Sequence, residues 1–175
     1  MRMDNIILIG FMGCGKTSVG IRLSYRFRKT FIDTDKWIEK QGEMTVSEIF
    51  EKYGEEEFRD RETNCLKQFV SEAHNQIIAV GGGLPIRAEN RILLRKIGKV
   101  IYLRVSPEVV CDRLSGDTTR PLLSGNNPQE KVRKLLEERK SLYEDAADMI
   151  IDVDNKSFET IITEIAENIQ KGEGA

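Results

Sequence analysis

The stretch GFMGCGKT at residues 10–17 constrains the fold of this chain more than any other feature. It matches the pattern G-x-x-x-x-G-K-[ST] in full, and it lies between the apolar run NIILI at residues 5–9 and an amphipathic stretch at residues 18–27. In that setting, a glycine-rich loop turns its backbone N–H groups inward and holds phosphate at the N-terminus of the following helix. The sequence therefore predicts a buried parallel strand, a phosphate-binding loop and a helix, in that order.

Side chains within this loop predict how a nucleoside triphosphate would be held. Lys16 would reach the β- and γ-phosphates, and the Thr17 hydroxyl would be a ligand of Mg²⁺. The candidate nucleotide-binding residues of the loop are Gly13, Cys14, Gly15, Lys16, Thr17 and Ser18. Because Cys14 lies inside the loop, close to positive charge, we predict that its thiol is sensitive to oxidation, and shielding of the thiol from alkylation by ATP is the test. The alternative is a glycine-rich turn with a surface lysine, which the flanking strand and helix disfavour.

The rest of the chain alternates between strand and helix patterns. Four further apolar runs predict strands, at residues 30–32, 77–80, 100–105 and 149–153. Between them, Thr45 and Glu48 form a capping box, and Ser106 precedes Pro107 as a helix N-cap. Such alternation predicts βαβ units and a parallel sheet with helices on both faces. Ligands of these sheets bind beyond the carboxyl ends of the strands, where the phosphate loop lies.

Length, charge and cysteine content exclude several classes of protein. The chain has 175 residues and no recognisable linker or repeat, so we predict a single domain over residues 1–175. A net charge of -2 argues against a nucleic acid or a membrane surface as partner. With no long apolar run and no signal-peptide pattern, we expect a cytoplasmic protein. Three widely spaced cysteines predict neither disulfides nor zinc, and the single histidine, His74, lies in a polar stretch and excludes a histidine-based triad.

Two carboxylates, Asp33 and Asp35, follow the second predicted strand in the stretch FIDTD. If both lay on the strand, their side chains would point to one face, and their repulsion would require a cation or a shared ligand. The alternative is a solvated strand end with Asp35 as a helix N-cap. The five residues alone favour the alternative, so their context has to decide.

A phosphate loop leaves GTPases, ATPases and small-molecule kinases open. No N-K-x-D-like guanine-reading motif follows a later strand, which disfavours a GTPase. A kinase must shield the transferred phosphoryl group from water, commonly with a mobile cationic lid. Residues 115–127, SGDTTRPLLSGNN, have no helical or strand period and contain Arg120 as their single cation, so we predict that they form such a lid. Otherwise Arg120 is a solvated loop arginine.

Six short motifs together identify a family that this chain resembles. They are GFMGCGKTSVG, DTD at 33–35, GEEEFRDRE at 54–62, GGG at 81–83, RPLL at 120–123, and R-x-x-x-Y from Arg139 to Tyr143 followed by Ala146. In this order they resemble shikimate kinases, which are P-loop proteins of the nucleoside-monophosphate-kinase-like group. The resemblance implies a three-layer α/β/α P-loop NTPase fold, with five parallel strands in the order 2-3-1-4-5 and a mobile lid. It also implies a monomer that transfers the ATP γ-phosphoryl group to the 3-hydroxyl of shikimate with Mg²⁺.

The same resemblance assigns roles to residues outside the loop. The residues that would bind shikimate are Asp35, Arg59, Gly82 and Arg139, with Phe50 and Phe58 as apolar walls, and much of this set lies in a helical segment of about residues 35–62. The catalytic residues would be Lys16, Asp35 and Arg120. Asp33 would accept from waters of the metal, whereas Asp35 would orient the acceptor hydroxyl or take its proton. Both Arg113 and Arg120 would contact ATP, Arg113 at the adenine, but no residue of 154–156 matches the family's second adenine contact.

The chemistry of a carboxylate supports Arg59 and Arg139 as its binding residues, although each arginine also has a simpler explanation. Forked, charge-assisted bonds from Arg59 and Arg139 suit a carboxylate in a way that lysine cannot copy. Alternatively, Arg59 forms an exposed helical pair with Glu62, and Arg139 is one more charge in the stretch EERK. Gly82 would let the backbone approach a ligand, unless GGG is only a flexible turn.

Two rival functions remain open from the sequence. One is a kinase of another small acceptor on the same fold, such as gluconate or a nucleoside monophosphate. The other is a non-catalytic nucleotide-binding regulator, which would be expected to have lost Lys16, Asp35 or Arg120. All three are present.

Overall fold

The computed structural model describes residues 4–115 and 126–173. Five strands form one parallel sheet: β1 (Ile6–Ile9), β2 (Thr30–Asp33), β3 (Gln76–Ala79), β4 (Lys99–Arg104) and β5 (Met149–Asp152). Their order across the sheet is β2-β3-β1-β4-β5, which confirms the predicted order. Each strand lies within about one residue of its predicted bounds.

Among the described residues, seven α-helices surround the sheet: α1 (Lys16–Phe27), α2 (Thr34–Gly42), α3 (Val46–Glu72), α4 (Ala88–Ile97), α5 (Pro107–Leu114), α6 (Pro128–Ala146) and α7 (Phe158–Glu173). The Thr45–Glu48 capping box at the start of α3 is confirmed, because each side chain binds the other residue's backbone N–H. Ser106 caps α5 as predicted, by accepting from the N–H of Val109. In the part of the chain that the structure describes, no helix is long and apolar enough to cross a membrane.

Strand β1 lies at the centre of the sheet, between β3 and β4. Ile7, Leu8 and Ile9 are completely buried, because helices cover both faces of the sheet. This explains why the strand is an uninterrupted apolar run rather than an alternating one. Its carboxyl end delivers the phosphate loop to the middle of the sheet edge, with β3 and then β2 on one side and β4 on the other.

Helix α3 is interrupted at Gly54, whose backbone has φ 85° and ψ 174°. A residue with a side chain rarely adopts this conformation. A Cβ atom at this position would meet no other atom within 4 Å, so glycine is required here by the backbone and not by lack of space. The break divides α3 into a short segment that carries Phe50 and a long segment that carries Arg59.

Candidate active site

Two adjoining cavities lie at the carboxyl ends of β1, β2 and β3. The first, of about 300 Å³, is formed by the phosphate loop together with Asp33. The second, of about 520 Å³, lies between α3, the glycine triplet after β3, and α6. Both cavities are lined by Met12, Asp35, Gly81 and Gly82. A group bound in one cavity is therefore directly beside a group bound in the other.

The phosphate loop has the nest-like backbone that its sequence predicts. Gly10, Gly13 and Gly15 all have positive φ values, of 148°, 77° and 95°. The Lys16 ammonium donates to the backbone carbonyls of Gly10, at 2.6 Å, and Phe11, at 3.1 Å. Lys16 is thus held across the loop, where it can meet the phosphates of a nucleotide.

The Cys14 thiol points into the protein rather than toward the cavity. Its residue is 1% exposed, and its sulfur lies 3.6 Å from the Lys16 ammonium. Only the backbone of Cys14 is therefore placed to bind phosphate. Sensitivity of the thiol to oxidation stays a prediction, and because the thiol is buried, an oxidant or an alkylating agent reaches it only if the loop opens.

Asp33 ends β2 and caps α2, so it does not share a strand face with Asp35. Strand β2 ends at Asp33, and its Oδ1 accepts from the backbone N–H groups of Asp35, at 2.9 Å, and Lys36, at 3.3 Å. Asp33 is the N-cap of α2, so the prediction of a cap at Asp35 was wrong. The two carboxylates do not share a strand face either, because the chain turns into α2 at Thr34.

The second oxygen of Asp33 is placed for the predicted metal role. Asp33 Oδ2 lies 3.5 Å from the Thr17 hydroxyl, at the edge of the first cavity. Two hard oxygen donors side by side fit Mg²⁺, which commonly takes its other ligands from phosphate and water. No cluster of three or more His, Cys, Asp or Glu side chains that could hold a metal by itself occurs in residues 4–115 and 126–173.

Asp35 and Glu62 each have a carboxylate oxygen without a hydrogen-bond donor in the described part of the chain, and both oxygens lie beside Gly81. Asp35 Oδ1 and Glu62 Oε1 are buried and have no hydrogen-bond partner among the described residues. A Cβ atom at Gly81 would lie 2.9 Å from each of them. Since buried acceptors without donors are costly, these oxygens require hydroxyl groups or water from the cavity. The pair fits an acceptor that carries hydroxyl groups.

Burial controls the acidity of both carboxyl groups. Burial raises the pKa of Asp35, the neighbouring charge of Asp33 raises it further, and the charge of Lys16 opposes the change. Burial also raises the pKa of Glu62 to about 7, against the lowering effect of the Arg59 guanidinium. From the sequence, Glu62 was recognisable only as a partner for Arg59, because helical spacing reveals a possible ion pair but not whether the carboxylate is buried.

Arg59 is held by two ion pairs at the wall of the second cavity, one with a buried and one with an exposed carboxylate. Its guanidinium donates to Glu62, at 2.7 Å, and to Glu55, at 3.0 Å, one turn away on either side. The pairing with Glu62 that the sequence allowed is therefore present. It is not a surface pair, because the Arg59 side chain is 12% exposed and Glu62 is completely buried.

Arg139 enters the same cavity from α6 and is only 7% exposed. Its guanidinium lies 5.7 Å from the centroid of the Phe11 ring. Among the described residues, no carboxylate forms an ion pair with it. A buried cation in this state attracts an anion from the cavity. Phe50 and Phe58 complete the wall, with ring centroids 4.9 Å apart.

Each glycine of the triplet after β3 lies against a different functional group. Gly81 faces the two carboxylates, and a Cβ atom at Gly82 would approach the backbone nitrogen of Met12 to 3.4 Å. Gly83 packs directly against the Arg59 guanidinium. The triplet is therefore closely packed rather than only a flexible turn, and Gly81 and Gly82 form a floor shared by both cavities.

Comparison with known proteins identifies the family. The shikimate kinase family model matches residues 12–170. The shikimate kinase of Thermodesulfovibrio yellowstonii is 45% identical over 169 residues, which are 97% of this chain and 94% of that protein. That of Caldanaerobacter subterraneus subsp. tengcongensis is 44% identical over 163 residues, 93% of this chain and 94% of that protein. The chain belongs to the shikimate kinase family.

Solved structures agree with membership of the shikimate kinase family. Shikimate kinase from Acinetobacter baumannii in complex with shikimate has a TM-score of 0.91 and 38% identity, covering 96% of this chain and 93% of that one. A gluconokinase from Sinorhizobium meliloti has a TM-score of 0.55 and 16% identity, covering 98% and 99% of the two chains. The second similarity extends to the fold alone.

On the side of the phosphate loop away from the second cavity lies Phe158, a residue that the shikimate kinase motifs did not reveal. Arg113, the predicted adenine contact, donates to the carbonyl of Gly13 at 2.9 Å. Phe158 lies beside it, since a Cβ atom at Gly15 would be 3.4 Å from the Phe158 ring and 3.9 Å from Arg113 Nη1. Phe158 begins α7, six residues after the end of β5, in a position that has no distinctive sequence pattern.

Of the two predicted segments, the lid falls largely outside the described part of the chain and the substrate-binding segment falls inside it. Arg120 and the RPLL motif lie within residues 116–125, so the predicted lid stays a prediction. The predicted substrate-binding segment, residues 35–62, corresponds to α2 and the first part of α3.

Proposed function

We propose that this chain transfers the γ-phosphoryl group of ATP to the 3-hydroxyl of shikimate, giving 3-phosphoshikimate and ADP. The observation that carries the proposal is the second cavity, where Asp35, the buried Arg139 and the partly buried Arg59 meet beside the phosphate loop. Shikimate is a ring with one carboxylate and three hydroxyl groups. The cavity offers two cations for the carboxylate of shikimate, and for the hydroxyl groups it offers carboxylate oxygens that lack hydrogen-bond donors among the described residues.

The phosphate loop and Lys16 would bind the β- and γ-phosphates of ATP. Thr17 and Asp33 would hold Mg²⁺, which neutralises charge on the transferring phosphoryl group when it is bound. Arg113 and Phe158 would line the adenine, because they lie on the side of the loop away from the acceptor. Arg120 would cover the phosphates from the lid.

Asp35 would accept a hydrogen bond from the acceptor hydroxyl and orient that hydroxyl for in-line attack. Phosphoryl transfer depends mainly on positioning and on charge neutralisation, so Asp35 does not need to be a strong base. Its raised pKa reflects a desolvated carboxylate, which a hydroxyl donor and the charge of Lys16 would stabilise. Arg59 and Arg139 would bind the carboxylate at the other end of the ring.

Magnesium dependence, a cytoplasmic location and a monomeric state belong to the same proposal. The metal is supported by the paired oxygens of Thr17 and Asp33. The small-molecule character of the substrates is supported by the size of the two cavities.

The test is ADP release by the purified protein with ATP and Mg²⁺, in parallel with shikimate, gluconate and AMP. We expect release with shikimate and little with the other two. A preference for gluconate or AMP would overturn the proposed acceptor. No release with any of the three would favour a nucleotide-binding regulator.

A further inference from the structure

Tyr143 ends the R-x-x-x-Y motif, and the proposed function gives it no role. It lies four residues after Arg139 on α6, so both side chains leave the same face of the helix. Tyr143 is completely buried. Its hydroxyl donates to the backbone carbonyl of Gly82 at 2.6 Å.

This bond ties α6 to the glycine triplet after β3. Arg139 lies one helical turn before Tyr143 and lines the second cavity together with Gly82. Burial raises the pKa of Tyr143, and the nearby charge of Arg139 opposes that rise. Tyr143 therefore connects two parts of the second cavity: the Gly82 backbone, which it binds, and the turn of α6 that carries Arg139.

The two arginines of the cavity differ in what holds them. Arg59 is fixed by Glu62 and Glu55, whereas Arg139 has no carboxylate partner in residues 4–115 and 126–173. A long arginine side chain has many rotamers, and ordering it has an entropic cost. Tyrosine has only two side-chain torsions. The Tyr143 ring is further restrained by Tyr102, with ring centroids 5.0 Å apart.

We propose that Tyr143 is a positioning residue for the acceptor: by tying α6 to the Gly82 carbonyl, it fixes the separation between the floor of the cavity and the Arg139 cation that binds the acceptor's carboxylate. The inference rests on the proposed function, because it requires a carboxylated acceptor. Without the hydroxyl, α6 is no longer tied to Gly82, and Arg139 is placed less precisely against the floor of the cavity. The acceptor then binds more weakly, and its reacting hydroxyl is less often in line with the phosphoryl group.

The test compares Tyr143→Phe with the matched control Tyr102→Phe. Tyr102 is also buried and packs against Tyr143, but its hydroxyl forms no hydrogen bond with another described residue. We expect Tyr143→Phe to lower kcat/KM for shikimate by about 10- to 100-fold, in line with the cost of misplacing a substrate. The KM for ATP should not change, and Tyr102→Phe should resemble the wild type.

A purely structural role gives a different result. It would lower the melting temperature and the active fraction, so that kcat falls while both KM values stay constant. That outcome contradicts the inference, as does a Tyr143→Phe enzyme that behaves like Tyr102→Phe.

A double-mutant cycle with Arg139→Lys shows whether the effect passes through Arg139. If it does, Tyr143→Phe causes a much smaller loss in the Arg139→Lys background than in the wild type, whereas losses that multiply independently overturn the inference. A wild-type enzyme without shikimate-dependent ADP release contradicts the proposed function instead. The two failures are therefore distinguishable.

Discussion

Asp35 and Glu62 approach the same point beside Gly81, but their surroundings give the two carboxylates different roles. Asp35 lines both cavities, whereas Glu62 lines only the second and uses its other oxygen to hold Arg59. Asp35 is therefore placed to meet the reacting hydroxyl, and Glu62 is placed to support a substrate-binding cation.

Replacing Asp35 by asparagine should lower kcat by about 100-fold or more, within the range of about 10²–10⁴ for a positioned acid or base. The amide is nearly isosteric but cannot accept the proton or attract the hydroxyl as strongly. ATP binding should persist, because the phosphate loop is unchanged. Steady-state kinetics and ATP titration check the two effects. Asp60→Asn, the same change at a residue that lines neither cavity, is the control, and full turnover of Asp35→Asn would exclude the role.

Replacing Glu62 by glutamine should change how stability depends on pH. The pKa of Glu62 is about 7 in the folded protein, compared with an ordinary value of 4.5. Between these values the folded state keeps a proton that the unfolded state loses, so unfolding free energy falls as pH rises from about 4.5 to about 7. The groups that face Glu62 are Arg59 and Arg87, which lower its pKa, and Asp35, which raises it.

Glutamine cannot ionise, so the variant should lack this part of the pH dependence. Denaturant unfolding of both proteins at several pH values between 4 and 8 measures the difference. The wild type should lose stability relative to Glu62→Gln as the pH rises. A constant difference across this range would show that Glu62 does not titrate there.

At the scale of the elements, the strands were predictable and several site contacts were not. Apolar runs and glycine turns identify a buried parallel strand from local sequence alone, as for β1 and β3. The change of N-cap from Asp35 to Asp33 depends on where β2 ends, which pairing with β3 decides. Burial of Glu62 and the position of Phe158 arise from packing between distant segments, and helical spacing does not record them. Arg59 and Arg139 became identifiable through the family motifs, since isolated arginines on polar helices have several explanations.

Replacing Gly54 by alanine should destabilise the protein by about 1–3 kcal/mol, the usual cost of forcing a side chain into an unfavoured backbone region. The strain arises from φ 85° and not from a clash, because space is available around the Cβ position. Urea unfolding measures the change. Gly42→Ala is not a suitable control, because its Cβ atom would meet the Arg61 guanidinium. An equally stable Gly54→Ala protein would contradict the assigned conformation.

At the scale of the whole molecule, the two cavities should respond separately to substitution. A ligand present at 100 times its Kd stabilises a protein by about 2.7 kcal/mol. For about 150–250 residues, this corresponds to a rise in Tm of roughly 5–10 °C. Lys16→Ala should lose the rise caused by ATP and retain the rise caused by shikimate. Arg139→Lys should lose the rise caused by shikimate and retain the rise caused by ATP.

Thermal unfolding with each ligand alone checks this prediction, with each variant compared with its own ligand-free Tm. This comparison removes any direct effect of Lys16→Ala on the loop carbonyls that Lys16 binds. Loss of both rises in either variant would mean that the two sites are not independent.

The lining that the two cavities share, at Met12, Asp35, Gly81 and Gly82, has a consequence for inhibitor design. A compound that joins a carboxylated ring to a phosphate mimic needs only a short linker to occupy both cavities. Once one half is bound, the other is presented to its site at a high effective concentration, and the combined affinity can exceed that of either half by about 10²–10⁴. The same adjacency that suits direct phosphoryl transfer therefore makes this protein a target for bivalent ligands.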